Sequence, residues 1–94
     1  MPLLRLDSEA IAKHLRALSD LPAQVVDWDV EVGPDATEDL AVWVWLTLDD
    51  DDFEDLAKRA QLLRRVRDSV ASMNLESDPW VYVRFRARSE TALP

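Results

Sequence analysis

Ala41-Val42-Trp43-Val44-Trp45-Leu46-Thr47-Leu48 is apolar on both of the faces that a strand presents, the pattern of a strand at the centre of a sheet. The rest of the chain arranges itself around it. Upstream, Val26, Trp28, Val30 and Val32 alternate with Asp27, Asp29 and Glu31, the period of a half-buried strand with one wet face. Gly33-Pro34-Asp35 and the polar run to Asp39 read as a loop, so these two strands are expected to form an antiparallel hairpin. Downstream, Pro79 permits a strand to start, and Trp80 to Arg88 alternate as a last strand.

Two helices fill the intervals. Asp7 or Ser8 can cap a helix beginning at Glu9, with Ile11, Ala12, Leu15 and Leu18 on one face and Pro22 as the breaker. Asp49 to Asp52 open the longest helix, in which Phe53, Leu56, Ala60, Leu63, Val66 or Arg67, and Val70 fall on one stripe. Its acids lead and Arg64, Arg65 and Arg67 follow, the order favoured by the helix dipole. Asn74 to Asp78 read as a loop and Glu90 to Pro94 as a frayed tail.

The expected fold class is therefore α+β: a two-layer α/β sandwich with two helices on one face of a mixed, mostly antiparallel sheet. The order is αββαβ, or ferredoxin-like with a split βαβ if Leu3 to Leu6 add a first strand. Period-two logic then leaves the other face open. It would carry Asp27, Asp29 and Glu31, then Trp43, Trp45 and Thr47, then Trp80, Tyr82, Arg84, Arg86 and Arg88. Three tryptophans and a tyrosine on one exposed face mark an interaction site, and Trp43, Trp45, Trp80, Tyr82, Arg84 and Arg86 are its candidate residues.

Composition narrows what that site can do. The 94 residues suit one domain, residues 1–94, with 48% hydrophobic and 32% charged residues. The absence of cysteine removes disulfides, thiolate metal sites and a cysteine nucleophile, and it suits a reducing compartment. Arg5, Asp7, Glu9, Lys13 and Arg16 exclude an apolar leader or membrane span over the first twenty residues, so a soluble cytoplasmic protein is expected. A single glycine argues against phosphate-cradling loops.

Charge is divided along the chain. Residues 1–55 hold fifteen acids against three bases, a net of −12, and the remainder holds eight bases against four acids, a net of +4. The overall −8 weighs against binding a phosphate backbone. The four-Asp run invites a hard-cation reading but lacks the spacing of an EF-hand, and a helix N-terminus explains it better. His14 is the only histidine, and no serine lies in a nucleophile-elbow context, so neither metal nor catalytic residues are assigned and no cofactor is expected.

Three uses of the aromatic face remain. Two copies can pack sheet to sheet or continue edge to edge, with Asp and Arg rows pairing across a two-fold axis. A different protein can dock there, or a nucleobase or other flat ligand can stack on Trp43, Trp45 or Tyr82 beside Arg84 or Arg86. Alternatively, arginine stems lie over the rings and nothing binds. The first two make the chain a non-enzymatic interaction module, a homodimer or a partner-binding subunit. The third makes it a ligand- or RNA-binding domain, or an enzyme subunit.

The segments 41–51 and Pro79-Trp80-Val81-Tyr82-Val83-Arg84-Phe85-Arg86, with an arginine-rich helix between, resemble small bacterial proteins of ferredoxin-like αββαβ type associated with HEPN-type or toxin–antitoxin neighbours. The resemblance implies an accessory protein that binds a partner encoded beside it, and it carries over no functional residue. In topology the chain is also similar to the cytoplasmic dimerisation domain of cation diffusion facilitators, whose metal-binding histidines have no counterpart here.

Overall fold

The computed structural model describes residues 7–73, 75 and 79–91. Its elements are α1 (Ser8–Arg16), β1 (Val25–Pro34), β2 (Leu40–Leu48), α2 (Asp50–Glu54), α3 (Leu56–Ser72), β3 (Trp80–Ala87) and α4 (Arg88–Thr91). Asp7 caps α1, its carboxylate accepting from the Glu9 amide at 2.9 Å, while Lys13, His14 and Arg16 occupy the last turn. Leu3 to Leu6, proposed above as a first strand, lie outside the described residues.

The sheet has the order β1-β2-β3, with β1 antiparallel to β2 and β2 parallel to β3. The parallel pair requires a crossover, and α2 and α3 supply it. The result is an α+β fold with an open, three-stranded mixed sheet in the order αββαβ, extended by α2 and α4. The sheet has one antiparallel and one parallel pair, so it is evenly mixed and not mostly antiparallel. In a split βαβ another strand would separate the two flanking ones, whereas here Ala41–Leu48 pairs directly with Trp80–Ala87.

β2 makes the core. Val42, Val44, Leu46 and Leu48 are fully buried on one face, against Ile11 and Leu15 of α1 and Leu62, Val66 and Val70 of α3. Trp28, Val83 and, less completely, Val30, Val32, Val81 and Phe85 flank them from the outer strands. Each fully buried Val or Leu contributes about 1.5–3 kcal/mol, so these four positions fix which side of β2 faces the helices.

Several expected boundaries move. Gly33 and Pro34 are the end of β1, paired with Ala41 and Leu40, so the hairpin loop is residues 35–39. Proline fits there because its missing N–H lies on an edge strand. The register shifts between Val25 and Asp27, a bulge that turns Val26 outward to 39% exposure and lets Val25 pack against the core instead. The long helix is broken at Asp55, where the backbone is extended (ψ 101) and the side-chain Oδ1 caps α3 by accepting from the Lys58 amide at 3.1 Å. That break resets the helical phase: the buried stripe is Leu62, Val66 and Val70, continued by Met73, and Leu56 is 72% exposed. Arg88 leaves the last strand to start α4, and Glu90 and Thr91, expected in a frayed tail, belong to that helix. Among the described residues no helix is long and apolar enough to cross a membrane.

Two substitutions separate the observed stripe from the periodic one. Leu62→Ala, at a fully buried position of α3, should lower unfolding free energy by about 2–5 kcal/mol, as buried leucine truncations do. Leu56→Ala should shift it by no more than about 0.5 kcal/mol. Urea denaturation of both variants checks the pair, and equal losses would contradict the helix break.

Candidate functional site

Alternation along three paired strands puts one set of side chains away from the helices. Across that face the register aligns four rows: Gly33-Ala41-Trp80, Glu31-Trp43-Tyr82, Asp29-Trp45-Arg84 and Asp27-Thr47-Arg86. Acids line β1, Trp43 and Trp45 lie on β2, and β3 carries Trp80 and Tyr82 followed by Arg84 and Arg86. All six candidate residues therefore meet on one face, while Arg88 is carried off into α4, where its Nη1 lies 3.2 Å from Asp49 Oδ1.

The face is less open than alternation alone implies. Trp80 is 62% exposed, but Trp43, Trp45 and Tyr82 are half-buried. Trp43 stacks on Tyr82 with ring centroids 5.8 Å apart and planes 20° from parallel. The Arg86 guanidinium lies 4.4 Å above the Trp45 ring and reaches Asp29 at 3.6 Å, and Arg84 lies 5.7 Å from the Tyr82 ring. Arginines thus cover rings as cation–π lids, each worth about 0.5–1 kcal/mol at an exposed site. The Arg86–Asp29 pair, with both side chains in solvent, adds at most about 1 kcal/mol.

Tyr82 is tied down by a contact that periodicity does not reveal. Its hydroxyl donates to Asp35 Oδ2 at 3.1 Å, across 47 residues. The other carboxylate oxygen accepts from Thr37 Oγ1 at 2.7 Å, the Thr37 amide at 2.8 Å and the Asp39 amide at 3.1 Å. Glu38, at φ 67, completes the turn. The sequence signal was Asp35-Ala36-Thr37, an Asx-turn spacing, but nothing in it named the tyrosine. These donors, the Thr37 hydroxyl first, hold the Asp35 carboxyl below its usual 3.8. The accepting carboxylate, then burial, raise the Tyr82 hydroxyl above 10.0.

The remaining candidates resolve as structural contacts. Asp52 Oδ1 accepts from Lys58 Nζ at 2.8 Å and Asp50 Oδ1 from the Ser89 amide at 3.1 Å, so the acidic run anchors α3 and α4 from a helix N-terminus. No group of three or more metal-ligating side chains occurs among the described residues. His14 Nε2 lies 3.0 Å from Ser69 Oγ, a polar clasp between α1 and α3 that sequence spacing could not show. A cavity of about 570 Å³ between α1 and β1 is lined by Ser8, Glu9, Lys13, Arg16, Trp28 and Asp29 among others.

Tyr82 is the only tyrosine, so absorbance at 295 nm reads its ionisation alone. Its midpoint should lie above 10.0 and fall toward that value in Asp35→Asn; an unchanged midpoint would show that the tether does not form in solution. The signs differ at the two ends of the pH scale. The raised Tyr82 value adds stability that is present below 10.0 and lost as pH rises through it. The lowered Asp35 value adds stability that is present above 3.8 and lost as pH falls through the depressed value.

No protein-family model, no curated protein and no solved structure matches this chain, so its function has to be argued from the geometry of the face.

Proposed function

We propose that the protein is a non-enzymatic interaction module whose working surface is the open sheet face around Trp43, Trp45, Trp80, Tyr82, Arg84 and Arg86. The observation that carries this reading is the sorting of the face into an acidic edge, an aromatic centre and a basic edge, with Trp80 62% exposed at one end. Tryptophan, tyrosine and arginine are the residues most enriched at protein-binding hot spots, and a concentrated aromatic patch in water favours being covered. The acids matter equally. Asp27, Asp29 and Glu31 beside the rings repel phosphates, which disfavours a nucleotide or RNA on this surface and favours a partner carrying both signs of charge.

The occupant under this proposal is a second copy of the chain or another protein, such as one encoded beside it, in the cytoplasm. A chain without cysteine needs no oxidising compartment. The contrasting reading, a flat ligand stacked on Trp43 or Trp45, would use the same rings after the arginine lids swing aside.

Trp80→Ala and Trp45→Ala should leave the unfolding free energy within about 1 kcal/mol of the parent, since neither residue joins the helix-packed core. Both should weaken association, read by sedimentation over a hundredfold dilution with tryptophan emission recorded alongside. Emission that responds saturably to a panel of nucleotides in the parent would reverse the reading in favour of a ligand site.

A further inference from the structure

Resting on that reading, we propose that the open face is built to pair with a second copy of the chain about a two-fold axis running along β2. The argument begins with the one glycine. Gly33 has no positive φ, and a Cβ built on it would meet nothing within 4 Å. Neither backbone conformation nor packing within the chain requires glycine at this penultimate position of β1, where it forgoes a side chain that could pack on the sheet. By alternation it belongs to the open face, in the row that ends at exposed Trp80. A recess and a projecting tryptophan thus occupy opposite edges of the same row.

Symmetry decides what can fill the recess. Rotation about an axis along β2 keeps each row at its own height and exchanges the outer strands. Gly33 then lies under Trp80 of the second copy, Asp29 under Arg84 of the second copy, and Asp27 under Arg86 of the second copy. Trp43 and Trp45 meet their counterparts beside the axis. Packed sheets keep their strands within about 30° of alignment, so rows stay in step over the eight residues of β3. A two-fold axis across the strands would instead set the acidic edge on itself and the basic edge on itself. Continuing the sheet edge to edge through β1 or β3 also places like charges opposite each other. Among these two-fold arrangements, the axis along β2 joins unlike charges and seats the tryptophan.

The interface is small. Three strands about 4.8 Å apart and eight residues at about 3.3 Å each give a face of roughly 14 by 26 Å, about 360 Å² per copy. That is below the roughly 1,200 Å² total of stable interfaces and in the range of weak, transient ones. The dimer is therefore reversible on dilution. Each copy carries −8, but at physiological salt a Debye length of about 8 Å screens that long-range repulsion more than it screens pairs in contact.

The test uses two charge variants of the full chain, Arg84→Glu and Asp29→Arg, with Gly33→Gln as a steric probe. Each charge reversal creates two repulsive contacts in its own homodimer and should raise the dimer dissociation constant at least about tenfold. Mixed one to one, the two variants should form a heterodimer close to parental affinity, because one of the two symmetry-related contacts keeps its parental acid and base while the other holds the same pair with the signs exchanged. Gly33→Gln should keep the parental urea midpoint while weakening the dimer by a similar factor. Sedimentation velocity and native mass spectrometry read the parent, the three variants and the mixture. Recovery of dimer only on mixing supports the axis along β2. A parental dimer with both charge variants still dimeric alone would overturn that axis while leaving the face as an interaction surface. A parent that stays monomeric at about a hundredfold the concentration of a micromolar dimer would overturn self-pairing and leave the face to a different protein.

Discussion

Everything in this molecule follows from β2 being paired on both sides. With β1 on one flank and β3 on the other, its backbone groups are satisfied within the sheet, and only its side-chain alternation remains to be disposed. Val42, Val44, Leu46 and Leu48 cannot all be buried under the helices unless Trp43, Trp45 and Thr47 turn the other way. A slip of β2 by one residue would expose four aliphatic side chains to bury two tryptophans and a threonine. The register is fixed by that opposition, and the aromatic face is its unavoidable second product.

The face then manages its own exposure locally. Trp43 lies against Tyr82, Arg86 covers Trp45, and the Asp35 turn holds the tyrosine hydroxyl, so three of the four rings are half-buried before any partner arrives. These contacts hold the rings in fixed orientations. A pre-ordered aromatic surface loses less side-chain entropy on association than one whose rings rotate freely, which is how a small face can still be specific. Trp80 is the exception, with 62% of its surface in water.

Period two was the most legible part of the sequence. It separated the two faces of all three strands, because burial on one side of a sheet imposes the same alternation wherever the chain runs straight. It failed where the chain does not. At Val26 an extra residue shifts the phase by one, and at Asp55 an extended residue shifts the helical stripe, so that Leu56 is exposed and Leu62 is buried while Val66 and Val70 keep their expected places. Both are single-residue events with no composition of their own. The site was legible as a set of residues but not as a geometry: Tyr82 with Asp35 and His14 with Ser69 are separated by 47 and 55 residues, and local pattern carries no information at that range.

The division of charge along the chain acquires a spatial meaning through strand order. The acidic stretch before residue 55 supplies β1 and the basic stretch after it supplies β3, and because β2 lies between them the two signs stand on opposite edges of one face. With β2 between them, the ion pair of Arg86 with Asp29 at 3.6 Å still links the two edges. Separated by the aromatic strand, they give the face a polarity across its width. A polar face discriminates by repulsion as much as by attraction, since any partner approaching in the reversed orientation brings like charges together. Under the proposed function, orientation would be selected before the rings touch, and the aromatic centre, which has little directional preference of its own, would act on partners already aligned.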